Sequence, residues 1–360
     1  MSVDGVDGVS GRSGPSRRSG TAPTLKDVAR EAGFHPATVS RALDPAKMWL
    51  VRSDTRAKIQ TAARELGYRA DVVARSLRRG QTTTVGVVVP DLGNLFLPPV
   101  LRGIASELES RGFMAVISET QDDNERLRIS LENLLSRRVD AIVLTGARFG
   151  DAPLLDRIAA EGRPVVLAIR ALPGSSLPAV TTDDVSGGHI AARHLLELGH
   201  DLVAQLAGPS DIQPFLDRTA GFTQAVTEAG AHLADFQERA LLPTVSEGRR
   251  LMAQLLAETE RLPTAVFAHS DTMAIGALDA LRAAGLRCPD DVSILGYNDA
   301  PLVDHFDPPL STIRWPSVEI GRRAAELAIS LIEEPDNAVS SMTFRPELVP
   351  RNSTAPRRRD

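Results

Sequence analysis

Arg41 falls on the polar side of a short helical pattern over 36–43 whose inward side is Val39, Ala42 and Leu43. A guanidinium presented in that way can pair bidentately with a guanine in the DNA major groove, at about 1–3 kcal/mol of discrimination between bases. Pro36 and Ala37, at the head of the same pattern, offer apolar contact to a thymine methyl. The hydroxyls of Thr24, Thr38 and Ser40 suit phosphate oxygens, and Leu25 joins them as the neighbour of Thr24. Further along, Leu77 is flanked by Arg75, Arg78 and Arg79, with Ala74 one turn earlier. An apolar side chain among cations has the make-up of a wedge that enters the minor groove between base steps; the plainer alternative is a solvated linker helix with one leucine against its neighbour. A third set stands at the ends of apolar runs: Arg170 after VVLAI, Asp271 after AVFAHS, and Asn298 with Asp299 after SILGY. A guanidinium, a carboxylate and an amide in one cleft can hold vicinal hydroxyls, with Phe96 as apolar cover. Asp271 could equally cap a helix over 273–284, and Asp299 reads as a structural cap.

Catalytic constellations do not compete with these readings. No G-x-G-x-x-G follows the first apolar run, no G-x-x-x-x-G-K-[ST] occurs, and the seven histidines contain no H-E-x-x-H. His189 and His194 are five residues apart with no carboxylate at zinc-ligand spacing, and Cys288 lacks the surroundings of a nucleophile. The expectation is a protein that is not an enzyme and uses no metal or cofactor. Being the single cysteine, Cys288 cannot pair within the chain, so no oxidising compartment is needed. The N-terminal 23 residues lack the run of about 7–15 apolar residues of a secretory signal, and nowhere do ~18 apolar residues follow one another. A cytoplasmic protein is expected, associated with the nucleoid if it binds DNA, and with no membrane partner.

These residues need elements to position them. The composition, 42% hydrophobic and 24% charged over 360 residues, is that of a globular chain. Its charge is unevenly spread. Residues 24–84 carry twelve Lys/Arg against six Asp/Glu, a net of +6; the first 23 carry +1, and the total of −5 leaves −12 on 85–360. A small basic module on a large acidic body can gain free energy by displacing counterions from a polyanion. Within the module, Thr24 can cap a helix through Ala32 that Gly33 stops, Pro36 opens a second helix, and Ser53 caps a third over 54–66 that Gly67 stops. The turn around 33–35 has the size found in a helix-turn-helix. Residues 71–79 could form one more short helix, marginal unless something packs on it.

From Val85 the texture changes to continuous apolar runs, at 85–89, 115–117, 141–144, 165–169, 203–207, 265–268 and 292–297, separated by amphipathic stretches. Such runs indicate parallel strands buried on both faces with crossover helices, a doubly wound α/β body. About 270 residues and a Pro, Gly and Ser stretch at 173–178 point to two lobes, whose strand ends would face a shared cleft.

With these residues in view, the chain resembles the lac-repressor-type (LacI/GalR) transcription regulators over 24–351. The resemblance is carried by TLKDVAREAG (24–33), ATVSRAL (37–43), AARELGYRADVVARSLRRGQT (62–82), VGVVVPDLGNLFL (85–97), SDTMAIGALDALRAAGLRCPDDVSILGYND (270–299) and DPPLSTIRWP (307–316). It implies an N-terminal all-α helix-turn-helix, a hinge helix that forms on operator DNA, and a two-lobed body like that of a periplasmic binding protein. It also implies that Pro36 and Ala37 open the recognition helix, that Arg41 is the motif's arginine and that Leu77 is the hinge leucine. Arg170, Asp271 and Phe96 would line an effector site, which Arg218, in the pattern Arg218-Thr-Ala-Gly-Phe222, would join. The chain departs from the pattern at His35, which replaces a capping serine and adds a phosphate partner, and at Asp44, where asparagine is usual. The stretch 45–50 is also longer and more apolar than the pattern.

The resulting expectation is a homodimeric regulator, a repressor, that binds a palindromic operator under the control of a small molecule between the lobes. A sugar or sugar derivative, a monosaccharide or its phosphate, fits the cleft residues best, and a nucleoside also fits. The expected layout is a disordered tail (1–23), a helix-turn-helix domain (24–70), a hinge helix and linker (71–84), an effector-binding and dimerisation domain (85–352) and a tail (353–360). The first lobe would hold about 85–180 and 312–336, the second about 181–309 and 340–352. A solute-binding protein would share the body but leave 24–80 idle, and a dinucleotide-dependent enzyme would share only the α/β texture.

Overall fold

The computed structural model describes residues 23–44, 47–68, 81–335 and 339–358. They divide into two units, one within 1–80 and one within 81–360. In the first, α1 (Leu25–Ala32) is fixed at its start by a reciprocal cap. The Thr24 hydroxyl accepts from the Asp27 N–H while the Asp27 carboxylate accepts from the Thr24 N–H at 2.9 Å. Gly33, at φ +69°, ends the helix in the left-handed conformation that a side chain would penalise. Pro36 occupies the first turn of α2 (Pro36–Ala42), where its missing N–H costs no bond. The His35 imidazole does the work of the replaced serine, its Nδ1 accepting from the Ala37 N–H at 3.2 Å. In α3 (Ser53–Glu65) Arg52 takes the cap position and makes no side-chain cap bond, so Ser53 is the first helical residue rather than the cap expected from sequence. Val28, Val39 and Ile59, one from each helix, are fully buried together.

The second unit is built on two parallel sheets. The first has the order β11-β5-β4-β3-β1-β2, from β1 (Thr84–Val89), β2 (Met114–Glu119), β3 (Ala141–Leu144), β4 (Val165–Ile169), β5 (Ala179–Thr182) and β11 (Met342–Phe344). The second has the order β7-β6-β8-β9, from β6 (Leu202–Leu206), β7 (His232–Leu233), β8 (Ala265–Ala268) and β9 (Ser293–Leu295). Strands β10 (Thr312–Arg314) and β12 (Glu347–Val349) pair antiparallel as a separate ribbon. Two expectations from sequence are corrected here. Met342–Phe344, placed with the second lobe, pairs with β5 in the first sheet, Met342 opposite Val180. The supposed tail from 353 is packed: Ser353 is fully buried, its hydroxyl donating to the Ile294 carbonyl and accepting from the Ser311 N–H.

Eight helices cover the sheets among the described residues: α4 (Leu97–Ser110), α5 (Asn124–Ser136), α6 (Ala152–Ala160), α7 (Asp184–Glu197), α8 (Gln213–Glu228), α9 (Val245–Glu258), α10 (Asp271–Ala283) and α11 (Ser317–Glu333). Three pairs of them touch backbone to backbone through facing glycines: Gly103 and Gly321 join α4 to α11, Gly188 and Gly221 join α7 to α8, and Gly248 and Gly276 join α9 to α10. A Cβ on Gly221 would stand 2.0 Å from the Val185 carbonyl oxygen, so the close approach admits no side chain there. Such packing makes each helix pair a rigid support for the loops at its ends.

Candidate DNA-binding face and ligand pocket

In the first unit, α2 turns Val39 and Ala42 into the core and leaves Ala37 and Arg41 exposed, with Pro36, Thr38 and Ser40 half-buried. Thr24 and His35 are exposed beside them and Leu25 is half-buried. The described residues expected to contact DNA therefore come from the start of α1 and from the outer side of α2. Ala74 and Leu77, the hinge residues expected from sequence, lie outside the described residues.

In the second unit, a cleft partly open to solvent is lined by Phe96, Arg170, Phe215, Arg218, Ser270 and Asn298 among others. These residues stand past the carboxyl ends of strands or at helix starts, where doubly wound sheets place ligands. Four of the five expected effector residues come together there. Phe96 meets the Trp315 ring edge-on at 5.9 Å between centroids, and the Trp315 indole N–H donates to the Asn298 Oδ1 at 3.1 Å. Both arginines are buried and both are held. Nη1 of Arg170 donates to Asp122 at 2.6 Å and to the Gly146 carbonyl at 3.3 Å. Nε of Arg218 donates to Asp184 at 2.8 Å and its Nη1 to the His269 carbonyl at 2.6 Å, with the guanidinium 3.6 Å from the centre of the Tyr297 ring. Burial pushes the Asp184 carboxyl upward, and the Arg218 charge opposes that push. Burial drives the His269 imidazole well below its usual range and keeps it neutral. This agrees with Nδ1 accepting from the Gly208 N–H while Nε2 faces the Gln205 Oε1. The lining also holds strained backbone, for Ile169 sits at φ +70° and Asn298 at φ +121°. A β-branched residue at positive φ persists only where the surroundings enforce it.

The fifth expected residue, Asp271, is placed differently. It is the first residue of α10, Ser270 supplies the cap, and the Asp271 carboxylate is taken up inside the protein by the Ala300 N–H at 2.7 Å and the Thr312 hydroxyl at 2.6 Å. Burial raises its pKa from an ordinary 3.8 to about 6, against the two hydrogen bonds. A folded state that binds the proton more tightly than the unfolded chain loses stability as pH rises between these values. Asp271→Asn, whose amide oxygen can accept from the Ala300 N–H while its amide nitrogen donates to the Thr312 oxygen, should therefore gain on the wild type between pH 4 and pH 6, by about 3 kcal/mol above that range. Parallel urea denaturation at pH 4 and pH 7 checks this, and a difference independent of pH would refute it.

Sequence reasoning missed Phe215, Ser270 and the two carboxylates that hold the arginines. Phe215 was detectable as an aromatic three residues before Arg218 on one helix face. Asp122 and Asp184 gave no such signal, because they lie 48 and 34 residues from their partners. A further ion pair ties the loop after β3 to the loop after β6: Nε and Nη2 of Arg148 each donate to Asp211 at 2.8 Å, and the Phe149 N–H donates to the Asp211 carbonyl at 3.0 Å. Since these loops rise from different sheets, the pair ties the two lobes to each other. Asp211→Ala should weaken binding of a cleft ligand by a few fold, in keeping with about 1 kcal/mol or less for a part-exposed pair. Titration calorimetry reads the change, and unaltered affinity would show that the pair does not favour closure.

Set beside known proteins, residues 24–71 match the family described as "Bacterial regulatory proteins, lacI family", and 192–354 match "Periplasmic binding protein-like domain". The HTH-type transcriptional repressor CytR of Escherichia coli (strain K12) is 34% identical over 344 residues, 94% of this chain and 98% of its own. The chain belongs to the lacI family. Of solved structures, the lac repressor dimer bound to operator and the anti-inducer ONPF has 27% identity and a TM-score of 0.82 over 93% of this chain and 100% of its own. A transcriptional regulator CelR–cellobiose complex has 29% identity and a TM-score of 0.68 over 92% and 99%. This lacI-family chain is a DNA-binding regulator of transcription whose body has the fold of a periplasmic binding protein. No helix among its described residues is long and apolar enough to cross a membrane.

Proposed function

We propose that the protein is a repressor that binds a palindromic operator as a homodimer and is switched by a small neutral polyhydroxylated ligand, a sugar or sugar derivative, in the cleft. In the headpiece, Arg41 reads a guanine and Pro36 and Ala37 make apolar contact with bases. Thr24, Leu25, His35, Thr38 and Ser40 hold the backbone. The observation that carries the ligand class is that each cleft guanidinium already has a buried carboxylate, Asp122 for Arg170 and Asp184 for Arg218. The pocket therefore has hydrogen-bond donors without net positive charge, while Phe96 and Phe215 give it apolar walls. A phosphate ester would bring charge that nothing there is free to balance. In this reading Asp271 sets the position of the 296–300 loop under Asn298 rather than touching the ligand. The ligand shifts operator affinity by binding one closure state of the lobes more tightly, with typical coupling of about 1–3 kcal/mol. The CelR neighbour with cellobiose and the lac repressor dimer on operator support the ligand class and the assembly. The protein acts in the cytoplasm on chromosomal DNA and is not an enzyme.

The test is selection of duplexes from random DNA by the full-length protein, then calorimetric titration with neutral sugars and nucleosides and with their phosphate esters. A palindromic consensus and binding of an uncharged ligand that shifts duplex affinity are expected. Enrichment of no symmetric duplex, or binding of phosphate esters alone, would overturn the corresponding half of the proposal.

A further inference from the structure

The segment after the recognition helix is longer and more apolar than the family pattern, and the function described so far gives it no work. It forms a 3₁₀ turn, Met48–Leu50. In it Met48, Trp49 and Leu50 are exposed by 37%, 74% and 52%. Three consecutive large apolar side chains held in water are costly unless something covers them.

The turn is fixed at both ends. At its start, the Asp44 N–H donates to the Arg41 carbonyl at 3.3 Å, and the Asp44 carbonyl accepts from the Lys47 and Met48 N–H groups at 2.9 and 2.8 Å. At its end, Val51 enters the three-helix core. The apolar trio is thus suspended from the C-terminal end of α2 between two anchors. Exposed Lys47 and Arg52 flank it.

We infer that this turn is a second DNA contact, in which Trp49 lies on the deoxyribose faces at the rim of the major groove while Lys47 and Arg52 meet the adjoining phosphates. The inference rests on the DNA-binding function and extends its surface. A seven-residue helix is about 10 Å long and the major groove about 12 Å wide, so a feature hung on the end of α2 reaches the groove edge when the start of α2 reads bases. Cationic flanks favour a polyanion over another protein as the covering partner. Because every step of the duplex presents the same sugars, the contact adds affinity without adding sequence preference.

The protein has two tryptophans, and Trp315 is buried, so acrylamide quenching of the full-length protein reports chiefly on Trp49. Adding the selected duplex should lower the quenching constant at least about threefold. Trp49→Ala should weaken binding by about 5–20-fold on every duplex while leaving the base preferences intact, and Trp49→Phe should keep most of the affinity. Unchanged quenching, with Trp49→Ala binding like the wild type, would overturn the contact and leave DNA binding standing. A Trp49→Ala protein whose dimerisation fell while its DNA contact per protomer held would assign the turn to a protein interface instead. A wild type that bound no duplex would overturn the contact together with the function on which it rests.

Discussion

Asp184→Ala is expected to cost about 3–5 kcal/mol of stability, because it leaves the buried Arg218 guanidinium charged with no carboxylate to balance it. Arg218 is 5% and Asp184 4% exposed. The bond between them joins α7 to α8, the same helices that the Gly188 and Gly221 contact presses together. Loss of the carboxylate should therefore loosen the second lobe as a whole. Urea denaturation followed by circular dichroism measures the loss, and one below about 1 kcal/mol would show that the pair is not the buried charge compensation described. The double variant Asp184→Leu with Arg218→Met should recover much of the stability, since a buried pair is often no better than apolar groups of similar size. The same double variant should lose ligand response, because Arg218 lines the cleft.

The other large effect is expected at Arg41. Arg41→Ala should reduce affinity for the selected operator by about 10–100-fold while leaving nonspecific binding within about twofold, corresponding to the loss of one bidentate base contact. The side chain is exposed and adds nothing to the three-helix core, so the fold should be unaffected. Competition of operator against random duplex, at fixed salt, separates the two affinities. A uniform fall on both would reassign Arg41 to phosphate.

What was legible in the sequence follows from how local each signal is. The helix starts could be read because Thr24 with Asp27, and Pro36, act within one turn. Strands such as VGVVV and AVFA could be read because burial on both faces leaves continuous apolar runs. Strands β5, β7, β11 and β12 escaped, since they are two to four residues long and not fully buried. In the cleft, residue type and position after a strand located Arg170 and Asn298, and Phe96 was read as their apolar cover. The same cues put Asp271 with them, and they carry no information about which way a side chain turns. Its partner Thr312 is 41 residues away. The neutral character of the pocket was equally hidden, because it depends on Asp122 and Asp184 finding arginines far along the chain.

The central claim is that occupancy of the cleft sets the grip on DNA. Fluorescence anisotropy of the labelled, selected palindromic duplex, titrated with the full-length protein with and without a neutral sugar-type ligand shown by calorimetry to bind, tests it most directly. A change of at least about fivefold in duplex affinity is predicted, abolished in the Arg170→Ala variant. A ligand that binds the cleft while the duplex affinity stays the same would contradict it.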